Sequence, residues 1–399
     1  MTKAEWAGTL AERGADILMN TYGRYPLELA GGRGCVVWDS SGNQYLDFVA
    51  GIAVNALGHA HPAVIGTIRD ACEGLIHVSN LYWTEPMVRL AERLTAVAGM
   101  ERAFFCNSGA EAIEAAIKMA RKARPGRPRT VCFEHSFHGR TFGALSITSR
   151  PAYQKPFRPL MADVTVLPWG DENALAGIDG RTAAVFVEAV QGEGGVRPAP
   201  SGWLAGIRRR CDEAGALMVV DEVQTGIGRT GTFFAFQSEG IFPDAVASAK
   251  ALAGGLPMGA LLARGAAAEA FTPGDHASTF GGGPMVASVA NAVLDVVLEP
   301  GFLEGVREKG TRLGDGLRRI AAAHPAVVEA RGRGLLWGLV LSRPRAAKLV
   351  ESLQGMGLLT VPAGPDVLRF APPLVVTNEE IDACLVLVER ALTDQEKEG

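Results

Sequence analysis

Several large protein classes are excluded by what this chain does not contain. No long uncharged run reads as a membrane-spanning helix, and the first twenty residues lack the apolar core and small-residue cleavage site of a secretory leader. Basic residues do not dominate: 39 Lys and Arg face 43 Asp and Glu, a formal net charge of −4, so there is no electrostatic footprint for nucleic acid. The six cysteines, Cys35, Cys72, Cys106, Cys132, Cys211 and Cys384, never take C-x-x-C spacing. They read as buried hydrophobes of a reducing compartment, neither a disulfide framework nor a zinc site. His59 and His61 have no third ligand nearby in sequence, which argues for loop histidines over a metal site. There are no internal repeats. The expectation is a cytoplasmic protein that binds neither nucleic acid nor membrane.

What remains is an ordinary globular composition, 48% apolar and 21% charged, over 399 residues, enough for more than one domain. Strand-like and helix-like patterns alternate, which predicts an α/β fold with a mostly parallel sheet. A surface helix is expected over 2–20 (Trp6, Leu10, Ile17 and Leu18 on one side) and a hairpin over 35–48. Helices are expected over 62–76 and over 85–99, the latter with Val88, Ala91, Leu94 and Val97 on its apolar face. A helix over 201–215 takes Ser201 as cap, and a last helix over 378–393 takes Thr377 and Glu380 as capping box, followed by a frayed tail. The expected organisation is an N-terminal segment 1–55 packed on a small C-terminal domain 286–399, with a large domain 56–285 between them.

The chemistry concentrates in 216–250. An apolar run ends on Asp221 and Glu222, and a second ends on Lys250. A lysine after a strand is ordinarily solvated, and a buried one is costly unless it is paired, deprotonated or covalently engaged. Pyridoxal 5'-phosphate needs a lysine amine for its aldehyde, an anion for its ring nitrogen and a cup for its phosphate. Lys250 and Asp221 suit the first two. Strand RAFFC, then Asn107, Ser108, Gly109 and Ala110, then a helix, suits the third, because free N–H groups at a helix start attract phosphate; Ser108 also reads as a plain N-cap. After strand 130–134 come Phe137, which can stack on a ring, and Arg140, which can fork onto a carboxylate. Ser278 and Thr279 lie in a second Gly-rich loop able to contact phosphate. Gly226, Gly228 and Gly231 spell a dinucleotide fingerprint, but no helical period follows them.

Taken together, NSGAEA (107–112), FHGRT (137–141), VEAVQGEGG (187–195), DEVQTGIGRTG (221–231), SAKALAGGLPMGA around Lys250, STFGG (278–282) and LRFAPPL (368–374) resemble the class III aminotransferases of the fold-type I pyridoxal phosphate superfamily. GIAVNALGH and HVSNLYWTEP are most similar to the branch that acts on N2-acetylornithine. The resemblance implies that Lys250 is the Schiff-base lysine and proton carrier and that Asp221 keeps the ring nitrogen protonated. Val223 and Phe137 would flank the ring, Gln224 would bond its phenolic oxygen, and Ser108, Gly109 and Ala110 would hold the phosphate. Thr279 would reach in from the second subunit of a homodimer, and Ser278 lies beside it among the substrate-binding candidates. Arg140 would bind the donor's carboxylate, and Glu193 with Arg369 would form a switchable pair that accommodates donors of two lengths. Ile52 occupies a position where ornithine-specific members carry tyrosine. The implied reaction moves the δ-amino group of N2-acetylornithine to 2-oxoglutarate, in arginine biosynthesis. Succinylornithine, ornithine, 4-aminobutyrate or a lysine-pathway intermediate are the alternative donors, and an aminomutase or racemase is the alternative chemistry.

Overall fold

The computed structural model describes residues 9–397. Its centre is a seven-stranded sheet in the order 102–106, 259–263, 245–248, 217–221, 182–188, 129–133, 164–167. Strand Gly259–Ala263 runs antiparallel to both neighbours; every other pairing in the sheet is parallel. Parallel strands covered on both faces must be apolar throughout, and Leu217–Asp221 and Thr182–Glu188 are buried at every position. Helices Gly109–Ala123 and Pro284–Val297 bury alanine-rich faces, which lets them approach closely. Because all strands but one point the same way, the residues just past their C-terminal ends gather at one edge of the sheet. Ligands bind at such edges in open α/β sheets.

A second sheet, in the order 327–333, 336–341, 367–370, 361–362, is antiparallel. The N-terminal hairpin, Val36–Asp39 with Gln44–Asp47, is joined by Leu29–Arg33 on one side and by Leu358–Leu359 from the C-terminal part on the other.

Several expectations shift. Trp6 lies outside the described residues, and the first helix is Leu10–Ile17 with no buried side chain. Helix Pro62–Cys72 ends four residues early. Helix Glu85–Ala98 buries Leu90, Leu94 and Ala98, whereas Val88 is exposed, so its inner face is rotated from the one expected. Gly202, not Ser201, caps Trp203–Ala214. The Thr377–Glu380 box is present, but the last helix continues to Lys397 where a frayed tail was expected. Cys72 is exposed; the other five cysteines are buried, and all six are free. The fingerprint glycines lie in tight turns with no α-helix after them. His59 bonds Asp47 at 2.8 Å, and the described residues hold no cluster of metal-ligating side chains.

Candidate active site

Asp221 ends its strand beside Glu188 on one neighbouring strand and Ala247 on the other, in register. One Asp221 oxygen accepts the Val223 N–H at 3.0 Å, and the other lies 2.7 Å from Nδ1 of His138, a fully buried side chain whose Nε2 has no partner among the described residues. Crowding by burial and by the Asp221 charge pushes Glu188 well above the usual carboxylate range, although the Phe137 N–H donates to it at 3.2 Å. Glu222 points away from this cluster. Its oxygens accept from Thr225 Oγ1 at 2.5 Å and Phe236 N–H at 2.9 Å, and burial raises it to about 7.

Lys250 follows strand Ala245–Ser248 on left-handed backbone (φ 46°). Its amine makes no hydrogen bond or ion pair among the described residues. Burial first, and the Arg369 charge second, lower it to about 8, against the opposing pull of Glu193, Asp221 and Glu188. An amine held there is available as a base and nucleophile near neutral pH.

A cavity of about 400 Å³ brings together Ser108, Gly109, Ala110, Phe137, Arg140, Glu193, Asp221, Val223, Gln224 and Lys250. At one end, Ser108 caps helix Gly109–Ala123 by accepting from the Glu111 N–H at 3.2 Å, while the N–H groups of Gly109 and Ala110 donate to no acceptor among the described residues. A Cβ on Gly109 would lie 2.7 Å from both Val223 methyls, so only glycine lets the helix start against that side chain. Ser108 is therefore the helix cap, and it borders the N–H groups of Gly109 and Ala110 at the helix start.

At the other end Glu193 Oε1 pairs with Arg369 Nη1, which also donates to Gln224 Oε1 at 3.2 Å. Arg369 is 1% exposed and Glu193 26%. Burial alone would raise the Glu193 carboxyl, but the adjacent guanidinium outweighs it and holds the group below its ordinary value. Arg140 packs 3.6 Å from the centroid of Tyr153 and 5.7 Å from that of Phe137, with its own side chain exposed toward the mouth.

Three expected residues stand apart. Ser278 braces its own loop, accepting from Asn107 Nδ2 at 3.2 Å and the Gly281 N–H at 3.1 Å. Thr279 lies with it in a separate hollow of about 460 Å³. Ile52 does not line the cavity; Val54 does, and Ile52 belongs to a run, Ala50 to Ala53, with positive φ throughout. His138, Glu188 and Tyr153 were missed from sequence, although FHGRT and VEAV already carried the first two.

The fit to pyridoxal phosphate is direct. An unpaired amine, a buried carboxylate, an apolar and an aromatic side chain on the walls, and unpaired N–H donors at a helix start share one cavity of suitable size. Known proteins agree with the site. Residues 18–392 match the family described as Aminotransferase class-III. The chain is 49% identical over 378 residues to the acetylornithine aminotransferase of Mycobacterium tuberculosis (94% of each chain) and 48% identical to that of Methanopyrus kandleri (94% of this chain, 96% of the relative). Among solved structures, an N-acetylornithine aminotransferase from Stenotrophomonas maltophilia superposes with a TM-score of 0.84 at 37% identity, covering 98% of this chain and 100% of that one. The ornithine aminotransferase of Toxoplasma gondii superposes at 0.94 with 30% identity, covering 98% and 95%. With five of its family motifs meeting in one cavity and a family match over residues 18–392, the chain belongs to the class III aminotransferases.

Proposed function

We propose that this chain is a pyridoxal 5'-phosphate-dependent aminotransferase that moves the δ-amino group of N2-acetylornithine to 2-oxoglutarate, a step of arginine synthesis. The observation that carries the reading is that Glu193, on the wall of the cavity that also holds Arg140 and Lys250, pairs with the buried Arg369 behind it. With the pair closed, Arg369 is neutralised, and a donor can place its carboxylate on Arg140 and its distal amine near Lys250. With the pair open, Arg369 takes the α-carboxylate of glutamate and Arg140 its side-chain carboxylate. One site thus serves both halves of a ping-pong cycle. Four curated relatives at 46–49% identity, each named as an acetylornithine aminotransferase, support the donor.

The cofactor supplies the electron sink that lets a C–H bond beside nitrogen ionise. The protein does the rest. Ser108, Gly109 and Ala110 would hold the phosphate, Gln224 would bond the phenolic oxygen, and Val223 and Phe137 would hold the ring between them. Asp221, held by His138, keeps the proton on the ring nitrogen, and Lys250 Nζ carries the proton to and from the donor carbon.

A cytoplasmic homodimer completes the reading, with Thr279 contributed to the partner's phosphate site. Its support is that Leu81, Trp83 and Thr279 line one surface hollow, and that Leu81, Trp83 and Phe280 are 83%, 89% and 66% exposed. Among the described residues no single helix is long and apolar enough to cross a membrane. Residues 56–285 form the large cofactor-binding domain in this reading, and 286–399 with 1–55 the smaller one.

The test is a half-reaction without keto acid. The cofactor's visible absorbance should bleach quickly with N2-acetylornithine and with glutamate, and slowly with ornithine or 4-aminobutyrate. Fast bleaching by ornithine or 4-aminobutyrate instead overturns the donor. Turnover without any requirement for 2-oxoglutarate would favour the mutase or racemase chemistry.

A further inference from the structure

Glu193 sits in a five-residue turn, 192–196, between the paired strands Val190–Gln191 and Arg197–Pro198. Three consecutive carbonyls of that turn each accept from a different arginine. Arg150 Nη2 donates to Glu193 O, Arg197 Nε to Gly194 O at 2.9 Å, and Arg331 Nε and Nη2 to Gly195 O at 3.0 and 2.8 Å. Gly192, Gly194, Gly195 and Val196 are buried, so these carbonyls need partners from the protein. Guanidinium donors are a stronger and more rigid fastening, and gathering three like charges carries a cost: burial, then the Arg331 charge, lower the Arg197 guanidinium, with Asp366 and Glu329 offsetting part of it.

The second sheet explains the arrangement. Arg331, Gly338 and Arg369 lie directly opposite one another on three adjacent antiparallel strands, so their side chains share a face. Gly338 leaves a gap in the row, and Val196 fills it: a Cβ on Gly338 would lie 3.0 Å from Val196 Cβ. Gly195 (φ 101°) and the fully buried Val196 (φ 48°) are both on left-handed backbone, conformations that need external support, most of all at a β-branched residue. The turn is therefore seated between two arginines of one row. Arg331 grips its backbone, and Arg369 grips the Glu193 side chain.

We propose that Arg331, together with Arg150 and Arg197, forms a clamp of positioning residues that fixes the 192–196 backbone over Gly338, so that Glu193 covers and uncovers Arg369 by side-chain rotation alone. The proposal rests on the two-donor reading above. Without the clamp, Glu193 loses its register on Arg369. The uncovered guanidinium then repels the distal ammonium of N2-acetylornithine while still serving the carboxylate of glutamate.

The experiment compares kcat/KM for the two donors in holoenzyme carrying Arg331→Met, Arg331→Lys, Arg197→Met or Glu193→Ala. Hydrogen–deuterium exchange is followed over 190–198. Glu193→Ala should lower the acetylornithine-to-glutamate ratio by about a hundredfold, and Arg331→Met or Arg197→Met by about tenfold in the same direction. The change should fall mainly in the acetylornithine KM. Arg331→Lys should recover part of the ratio, and exchange over 190–198 should quicken in the methionine variants. A merely structural staple would lower both donors together, and an unchanged ratio in both methionine variants beside a shifted Glu193→Ala overturns the clamp. An unchanged ratio in Glu193→Ala overturns the two-donor reading itself and the clamp with it. Should Arg331→Met fail to fold, Arg197→Met decides.

Discussion

Replacing His138 with phenylalanine tests the least expected part of the site. The imidazole is fully buried, its Nδ1 lies 2.7 Å from Asp221 Oδ2, and its ring makes an edge contact with Phe186 at 6.2 Å. Phenylalanine keeps that ring contact and removes Nε2, which has no partner among the described residues, so the fold should survive. Asp221 loses its only side-chain donor among the described residues and keeps only the Val223 N–H, with Glu188 beside it in the ladder. A hydrogen bond to a charged group contributes about 1.5–3 kcal/mol, so the hold on the ring-nitrogen proton should weaken roughly 10- to 100-fold. Single-turnover bleaching should slow by that factor for N2-acetylornithine and glutamate alike, because His138 touches neither Arg140 nor Arg369. His138→Asn, whose amide can donate near the position of Nδ1, should recover part of the loss. A rate for His138→Phe within twofold of the unaltered protein would refute the reasoning, as would a loss that differs tenfold between the donors.

In the cofactor-free protein, acylation of Lys250 should follow an inflection near pH 8, well below that of surface lysines. Peptide mapping against pH reads this, and an inflection above pH 10 would contradict the site's electrostatics. Gly109→Ala should weaken cofactor binding about tenfold by forcing Val223 toward the ring position, and the added Val223→Ala should restore it; fluorescence titration of the two single variants and the double one is the check. Glu222 gives a signed pH dependence. Its folded pKa, about 7, lies above the unfolded value of 4.5, so the folded state binds the extra proton and stability falls as pH rises from about 4.5 to about 7. Relative to Glu222→Gln, the unaltered protein should lose about 3 kcal/mol across that window in urea denaturation; a flat difference would refute the assignment.

Much of this was legible in the sequence because it is local. Apolar runs ending on Asp221 and Lys250 announced buried strands with chemistry at their ends, and a strand followed by Ser108, Gly109 and Ala110 announced a helix start with free donors. Both signals rest on periodicity and capping, which act over a few residues. Helix faces were less legible: Val88 and Leu90 differ in burial because helix Pro284–Val297 and strands Arg102–Cys106 and Gly259–Ala263 cover one side of Glu85–Ala98. Two of the pairings that tune the site were not legible: His138 meets Asp221 across 83 residues, and Arg331 reaches Gly195 across 136. The Glu193–Arg369 pair, across 176 residues, was expected only from the family resemblance and from no local signal. The order of strands in the two sheets decides those meetings. A strand's own residues specify that it will be buried, and only its neighbours determine which charges it is buried beside. The sequence by itself thus determined the class of fold and the residues capable of the chemistry. The tertiary structure decided which of them share a low-dielectric cavity, and with that the lowered amine of Lys250, the raised carboxyl of Glu188 and the covered guanidinium of Arg369.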